Sequence, residues 1–184
     1  MELFSDLAIT RMQALVFGLL TFPITVWIVW TDLFEMKIKN EAVLAMLAIF
    51  VFAGFFLMPF GDYAWRYLHF VVMLLICFAL SATIGMGAGD AKYIAAVAPF
   101  IALDDTGSIA LLYAIWSVLL LVGMFIARRS GRLRRAKPDW IWFSDDRKGY
   151  VPFGLALAPT VSSYFLFGYL AGGPRVQESL SLLP

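Results

Sequence analysis

Two acidic residues, Asp32 and Asp90, stand at the ends of long apolar runs of the sequence. Asp32 follows the run that ends at Trp30, and Asp90 directly precedes the run that begins at Ala91. A charged side chain at a membrane boundary usually faces the bundle interior or water, because facing lipid is costly. Two carboxylates within hydrogen-bond range share one proton and act together as acid and base. If the fold joins Asp32 and Asp90, we expect them to activate water against a carbonyl group, with no metal and no cofactor.

The composition is that of a membrane protein. Of the 184 residues, 62% are hydrophobic and 15% are charged, whereas soluble domains average about 45–50% apolar and about 25% charged residues. The apolar residues form long runs with short polar breaks, which predicts an all-α polytopic membrane protein surrounded by a lipid bilayer. The net charge of +1 gives no reason to expect a nucleic-acid partner. The single cysteine, Cys77, excludes an internal disulfide and a cysteine zinc site.

The apolar runs predict six transmembrane helices in a single domain, residues 1–184. A spanning helix needs about 20 mostly apolar residues. The predicted spans are residues 13–30, 42–58, 67–84, 91–103, 107–127 and 151–171. The fourth run is short for a span. Whether it crosses the membrane decides the orientation of the two helices that follow it.

The distribution of basic residues favours a crossing. The polar segment 128–150 holds eight of the fourteen basic residues, which predicts a cytoplasmic loop. With six spans, three more basic residues, in the segments around Asp32 and Asp90, fall on the same side. These three are Lys37, Lys39 and Lys92. Without the fourth crossing, eight of these basic residues lie on one side of the membrane and three on the other. Six spans place both termini outside and both acids at the cytoplasmic face. The basic segment either binds anionic lipid or only fixes this topology.

The glycines before Asp90 suit a site that holds an extended peptide. Gly87 and Gly89 permit backbone angles closed to other residues and let a second backbone approach closely. A peptidase must expose the scissile carbonyl of an extended substrate, for example by strand-like pairing. Lys92 is either a phosphate anchor or a residue that follows the positive-inside rule.

Each acid also has a simple structural interpretation. Asp32 alone is an interfacial residue that ends a helix, and Asp90 alone is a helix N-cap, a position that aspartate favours. The adjacent Asp104 and Asp105 lie at an outer turn and predict a solvated break between helices. The case for chemistry at Asp32 and Asp90 therefore depends on their predicted meeting at one membrane face.

Residues 87–92 read Gly-Ala-Gly-Asp-Ala-Lys, and this G-x-G-D-x-K segment resembles the second-aspartate motif of the type IV prepilin peptidases. These are membrane aspartic proteases of the Gly-x-Gly-Asp class, which includes the presenilin-like proteases. Their first aspartate is followed by a pattern like D-x5-I-P-N. Asp32, Ile38 and Asn40 match that spacing, and Lys39 stands where proline is usual.

A third segment, Val151-Pro152-Phe153-Gly154, is similar to the proline-aromatic-glycine start of the family's last helix. The three matches occur in the family's order, and together they extend over nearly the whole chain. The resemblance implies a presenilin-like helical architecture with Asp32 and Asp90 as the catalytic pair. It also implies site-shaping or substrate-binding positions at Gly87, Gly89, Lys92, Asn40, Pro152, Phe153 and Gly154.

The family divides by the presence of a cytoplasmic insert. Larger, bifunctional members carry paired cysteines and N-methyltransferase activity there, whereas this chain has one cysteine and no such insert. It resembles the short, peptidase-only branch that serves Flp or tight-adherence pili. The resemblance implies a bacterial cytoplasmic-membrane protein that cleaves a prepilin after a glycine, between a basic leader and an apolar helix.

Two other functions compete with this interpretation. A lipid-headgroup enzyme using aspartates and Mg²⁺ needs clustered carboxylates in a D-G-x-x-A-R-like run, which the sequence lacks. A non-catalytic scaffold or small transporter of a pilus or secretion system needs neither aspartate for its function. Transport sites lie near the membrane midplane on broken or polar helices, whereas the polar residues here gather at one rim. The sequence does not predict an oligomeric state.

Overall fold

A computed structural model describes residues 7–131, 135 and 151–171 of the chain. Within these residues the chain forms six helices and no strand. The helices are α1 (Arg11–Glu35), α2 (Asn40–Leu57), α3 (Phe60–Ile84), α4 (Ala88–Val97), α5 (Thr106–Arg129) and α6 (Gly154–Ala171). The π-helical turn Phe50–Gly54 interrupts α2. The predicted all-helical, polytopic membrane architecture is confirmed.

Five of the helices are long and apolar enough to cross a membrane, and α4 is the exception. It has ten residues, about 15 Å of helix, and is followed by the 3-10 turns Ala98–Phe100 and Leu103–Asp105. Its residues from Tyr93 to Phe100 are largely buried. A short helix is tolerated at this place because protein, rather than lipid, surrounds most of its backbone.

The segment from Asp90 to Asp105 nevertheless connects the two ends of the bundle. Asp90 lies within electrostatic reach of Asp32, near the last turn of α1. The Asp105 carboxylate accepts the backbone N–H of Ile9, just before the first turn of α1, at 3.2 Å. The segment therefore runs antiparallel to α1. The six-span interpretation predicts such a path, and the crossing of the membrane by this segment stays a prediction.

Asp105 is a buried structural anchor, and the prediction of a solvated break at Asp104 and Asp105 is wrong for it. Asp105 is 1% exposed. It accepts hydrogen bonds from the backbone N–H of Ala8 at 2.7 Å and from the Tyr164 hydroxyl at 2.7 Å, besides that of Ile9. A buried carboxylate is stable only with such partners. It joins the start of α1 to α5 and α6.

Helices α1 and α6 form the most extensive helix pair, and small residues let them approach closely. A Cβ atom on Gly18 would lie 3.2 Å from the Cβ of Phe165, and one on Gly168 would lie 2.6 Å from Ile9. Phe17 packs edge-on against Phe100, with ring centroids 4.9 Å apart. The middle of the bundle is therefore closed by an aromatic core between α1, α6 and the turn that follows α4.

Several helices extend beyond the apolar runs that predicted them. Helix α1 continues through Asp32 to Glu35, and α3 begins at Phe60, seven residues before the predicted residue 67. The side chain of Arg66, in this early part of α3, reaches the carbonyl of Pro99 at 3.4 Å. An apolar run ends at the first polar side chain, whereas a helix continues wherever that side chain finds a partner. Most of the predicted loop 128–150 and both termini lie outside the described residues.

The Asp105 anchor predicts a large loss of stability on substitution. Asp105→Ala leaves three donors without their acceptor, and bonds to a charged group contribute about 1.5–3 kcal/mol each, so we expect destabilisation by roughly 3 kcal/mol or more. The measurement is thermal unfolding of the purified protein in detergent. Asp104→Ala, at the exposed neighbouring position, is the matched control. Equal melting temperatures for the two variants would contradict the anchor.

Candidate active site

Three helix ends meet around one cleft of about 570 Å³. The last turn of α1 brings Asp32, the first turn of α4 brings Asp90, and the segment before α6 brings Pro152 and Phe153. The remaining wall consists of Met36, Lys37, Ile38, Gly85, Gly87, Ala88, Gly89 and Val151. The two carboxylates, 58 positions apart in sequence, therefore line the same cleft.

Asp32 is buried against the start of α6. It is 3% exposed, and its Oδ2 atom accepts the backbone N–H of Leu155 at 3.2 Å. The same N–H also reaches the carbonyl of Pro152 at 3.1 Å, so the donor is shared. The N-terminus of a helix carries partial positive charge and suits a carboxylate. The first turn of α6 therefore fixes one oxygen of Asp32 and leaves the carboxyl on the wall of the cleft.

Gly154 is the residue that allows this approach. A Cβ atom at this position would lie 2.7 Å from Asp32 Oδ2, 2.9 Å from its Cγ and 3.1 Å from its Cβ. Contacts with the carboxyl group and with the base of the side chain cannot be relieved by moving a flexible tip. Glycine is therefore required here if Asp32 is to keep its position.

Asp90 lies in the first turn of α4, and Gly87 is the N-cap residue of that helix. The N-cap interpretation of Asp90 is therefore wrong. Its carboxyl folds back over Gly87, where a Cβ atom would lie 2.7 Å from Asp90 Oδ2. Asp90 lies outside the five candidate spans, and its burial raises the pKa from 3.8 to about 6. Near neutral pH this carboxyl exchanges a proton more readily than an exposed aspartate does.

The short segment between α1 and α2 packs on Gly89. Met36 adopts the left-handed conformation, with φ 50°, and reverses the chain after α1. Ile38 then crosses Gly89, whose Cβ atom would lie 3.3 Å from the Ile38 Cβ and 3.4 Å from its carbonyl oxygen. The two predicted glycines thus serve different contacts, because Gly87 accommodates the Asp90 carboxyl and Gly89 accommodates a neighbouring backbone.

Lys92 and Asn40 contact each other rather than the cleft. Lys92 Nζ donates to Asn40 Oδ1 at 3.1 Å, and both side chains are exposed. This bond joins the first turn of α2 to α4, next to the contact of Ile38 with Gly89. In this arrangement the hydrogen bond between Lys92 and Asn40 stabilises the packing of α2 on α4 beside the cleft. Lys39, at the position where the resemblance expects proline, pairs with Glu35 at 3.1 Å.

Six of the nine predicted site residues line the cleft: Asp32, Asp90, Gly87, Gly89, Pro152 and Phe153. Gly154 contacts Asp32 from behind. Sequence reasoning missed the Leu155 N–H, because every residue except proline carries this donor. It also missed Met36, since methionine is not a typical residue of the left-handed region.

A protein-family comparison matches residues 19–129 to the type IV leader peptidase family. The match covers more than half of the chain and includes Asp32 and the segment 87–92; it ends before Pro152. Searches of curated proteins and of solved structures gave no significant match. Because the matched range contains both acids of the cleft and the glycine segment between them, the chain belongs to the type IV leader peptidase family, a family of peptidases.

Proposed function

We propose that this protein is an aspartic endopeptidase that removes the basic leader from Flp-like prepilins at the cytoplasmic membrane boundary. The observation that carries the proposal is the presence of Asp32 and Asp90 on one cleft, at the meeting of three helix ends. Membership of the leader peptidase family supports a prepilin substrate. The basic residues Arg128 and Arg129 end α5, and their neighbour Val151 also lines the cleft. This supports a cytoplasmic site in the bacterial inner membrane, with both termini periplasmic.

The proposed chemistry uses one ionised and one protonated carboxyl. The ionised member takes a proton from water while the oxygen of that water attacks the scissile carbonyl. The protonated member donates its proton to the carbonyl oxygen, which gives a tetrahedral diol. Collapse of the diol breaks the C–N bond. The protonated carboxyl gives its proton to the departing amine, and a diol hydroxyl gives its proton to the other carboxylate. The products are a leader acid and a mature pilin amine, and the pair recovers its single shared proton.

The shape of the cleft supports an extended substrate. Phe153 is exposed, and Lys37 and Ile38, which also line the cleft, belong to an irregular segment. Gly85 and Gly87 carry no side chain that would narrow the cleft, whereas Gly89 is covered by Ile38. We infer that the leader glycine lies between the two carboxyls, with the basic leader on the cytoplasmic side and the apolar helix in the membrane.

Replacing either acid with asparagine should abolish cleavage without unfolding the protein. We expect Asp32→Asn and Asp90→Asn each to lower kcat by at least about 10³-fold, because neither amide can exchange a proton with water. Cleavage of a short prepilin by protein in nanodiscs is followed by mass spectrometry. A variant that cuts at near the wild-type rate would show that its aspartate is structural and that the mechanism is wrong.

Asp90→Asn should preserve or raise the stability of the protein even though it abolishes cleavage. In the folded state the Asp90 pKa is raised from 3.8 to about 6. Ionised Asp90 is therefore destabilising, and the protein loses stability as the pH rises through this interval. At pH 7.5 we expect Asp90→Asn to melt at or above the wild-type temperature. A lower melting temperature would indicate that the Asp90 carboxylate supports the fold.

The shared proton also predicts a bell-shaped pH dependence. Activity falls at low pH when both carboxyls are protonated, and at high pH when both are ionised. Because burial raises the Asp90 pKa to about 6, the alkaline limb should lie near or above pH 6 rather than near 4. The measurement is kcat/KM from pH 4 to 9, with melting temperatures recorded at each pH. Constant kcat/KM up to pH 9 in a stable protein would contradict a shared proton.

Gly154→Ala should lower activity through the position of Asp32. The added methyl group would meet the Asp32 carboxyl at 2.7 Å, so either Asp32 or the start of α6 must shift. Displacement of a catalytic group by about 1 Å can cost about 10²-fold in rate, and we expect a loss of kcat of this order. Gly123→Ala is the control, since its Cβ would meet nothing within 4 Å. Equal kcat in both variants would show that Asp32 does not depend on this contact.

A further inference from the structure

A second cavity, of about 360 Å³, lies between α3, α4, α5 and α6 and is nearly all apolar. Helix α3 packs on α4, and α5 packs on α6, whereas α3 and α5 barely touch each other. Ala110 and Leu103 belong to the wall of the cavity and are exposed on the outer surface of the bundle. The cavity therefore opens sideways, between α3 and α5, towards the bilayer.

Two polar atoms on its wall lack partners. Within the described residues, the Tyr93 hydroxyl is buried and makes no hydrogen bond. His69 Nε2 is also buried without a partner in hydrogen-bonding geometry, and its ring lies near the backbone of Ile101 and Ala98. Tyr93 is 0% exposed, and both residues line the cavity. Buried polar groups are rarely left unpaired, because the lost hydration is not replaced. Their presence in an apolar cavity points to a ligand that brings its own hydrogen-bonding groups.

The cavity begins close to the carboxylates. Tyr93 follows Asp90 by one turn of α4, about 4.5 Å along the helix axis, and the charge of Asp90 reaches Tyr113 on the opposite wall. The wall continues past Ala98 to Leu103. Ala98 lies about 12 Å from Asp90 along the same axis. An extended peptide covers this length with about four residues.

We propose that this cavity binds the first three or four residues of the substrate on the membrane side of the scissile bond, in extended form. In this arrangement Tyr93 donates to a substrate carbonyl, and His69 pairs with a second backbone group. The inference rests on the proposed function and adds a binding site to it. Cleavage requires local unwinding of an apolar helix, which leaves its backbone groups unpaired in a medium without water. A lipid acyl chain fits the same space but offers neither orphan atom a partner.

The first test compares Tyr93→Phe, Ala110→Trp and Ala79→Trp in the full chain, with a prepilin substrate in phosphatidylcholine–phosphatidylglycerol nanodiscs. Tyr93→Phe removes one hydrogen bond, so we expect KM to rise about 2- to 10-fold with kcat within twofold. Its melting temperature should not fall, because the hydroxyl has no partner in the protein. Ala110→Trp fills the cavity and should lower kcat/KM at least tenfold. Ala79→Trp, on an exposed position of α3 outside the cavity, should change neither constant.

The second test locates the occupant directly. Met73, on the α3 wall of the cavity, is replaced with the photo-crosslinker benzoylphenylalanine in an Asp32→Asn background that retains uncleaved substrate. We expect adducts at the first few residues after the scissile bond. Adducts to phospholipid alone would overturn the inference and identify an acyl-chain site. Wild-type cleavage with unchanged constants in Tyr93→Phe and Ala110→Trp would overturn it and leave the proposed function intact. Failure of the wild type to cut any prepilin would instead overturn both.

Discussion

The close packing of α1 against α6 is the constraint on which the rest of the structure depends. Small residues, including Ala14, Gly18 and Gly168, bring the two backbones together, and in lipid such van der Waals contact is the main source of helix association. Each end of the pair is then held by a carboxylate. Asp105 ties the start of α1 to Tyr164 of α6, and Asp32 accepts the Leu155 N–H at the opposite end. Contacts at both ends of the α1–α6 pair therefore fix the position of Asp32 along the bundle.

Asp32 and Asp105 are both buried carboxylates, but their surroundings differ. Asp105 has three hydrogen-bond donors of the protein around it, so its charge is compensated and the group is structural. Asp32 and Asp90 face a cleft and lie within electrostatic reach of each other. A pair of acids without full compensation favours one shared proton over two charges. The surroundings, rather than burial alone, separate the anchor from the candidate catalytic pair, because Asp105 is enclosed by protein donors whereas Asp32 and Asp90 line a cleft.

The short α4 gives the cleft and the second cavity a common wall. Helix α4 is only ten residues long and largely buried, and its first turn brings Asp90 into the cleft. Its small residues, Ala91, Ala95 and Ala96, are buried against neighbouring helices. Tyr93 is the large polar side chain of this face.

The sequence by itself determined the features that depend on composition and local pattern. These are the apolar runs, the basic segment 128–150, the acids near the ends of the runs and the glycines before Asp90, since each is a pattern of neighbouring residues. The tertiary structure alone decided which donors each carboxylate receives. The partner of Asp32 is 123 positions away and uses a backbone N–H that has no residue signature. Asp105 was expected in solvent because its neighbours resemble a polar turn, yet its donors come from residues 96 and 97 positions earlier and 59 positions later. Contacts of this separation exist only after the helices have packed.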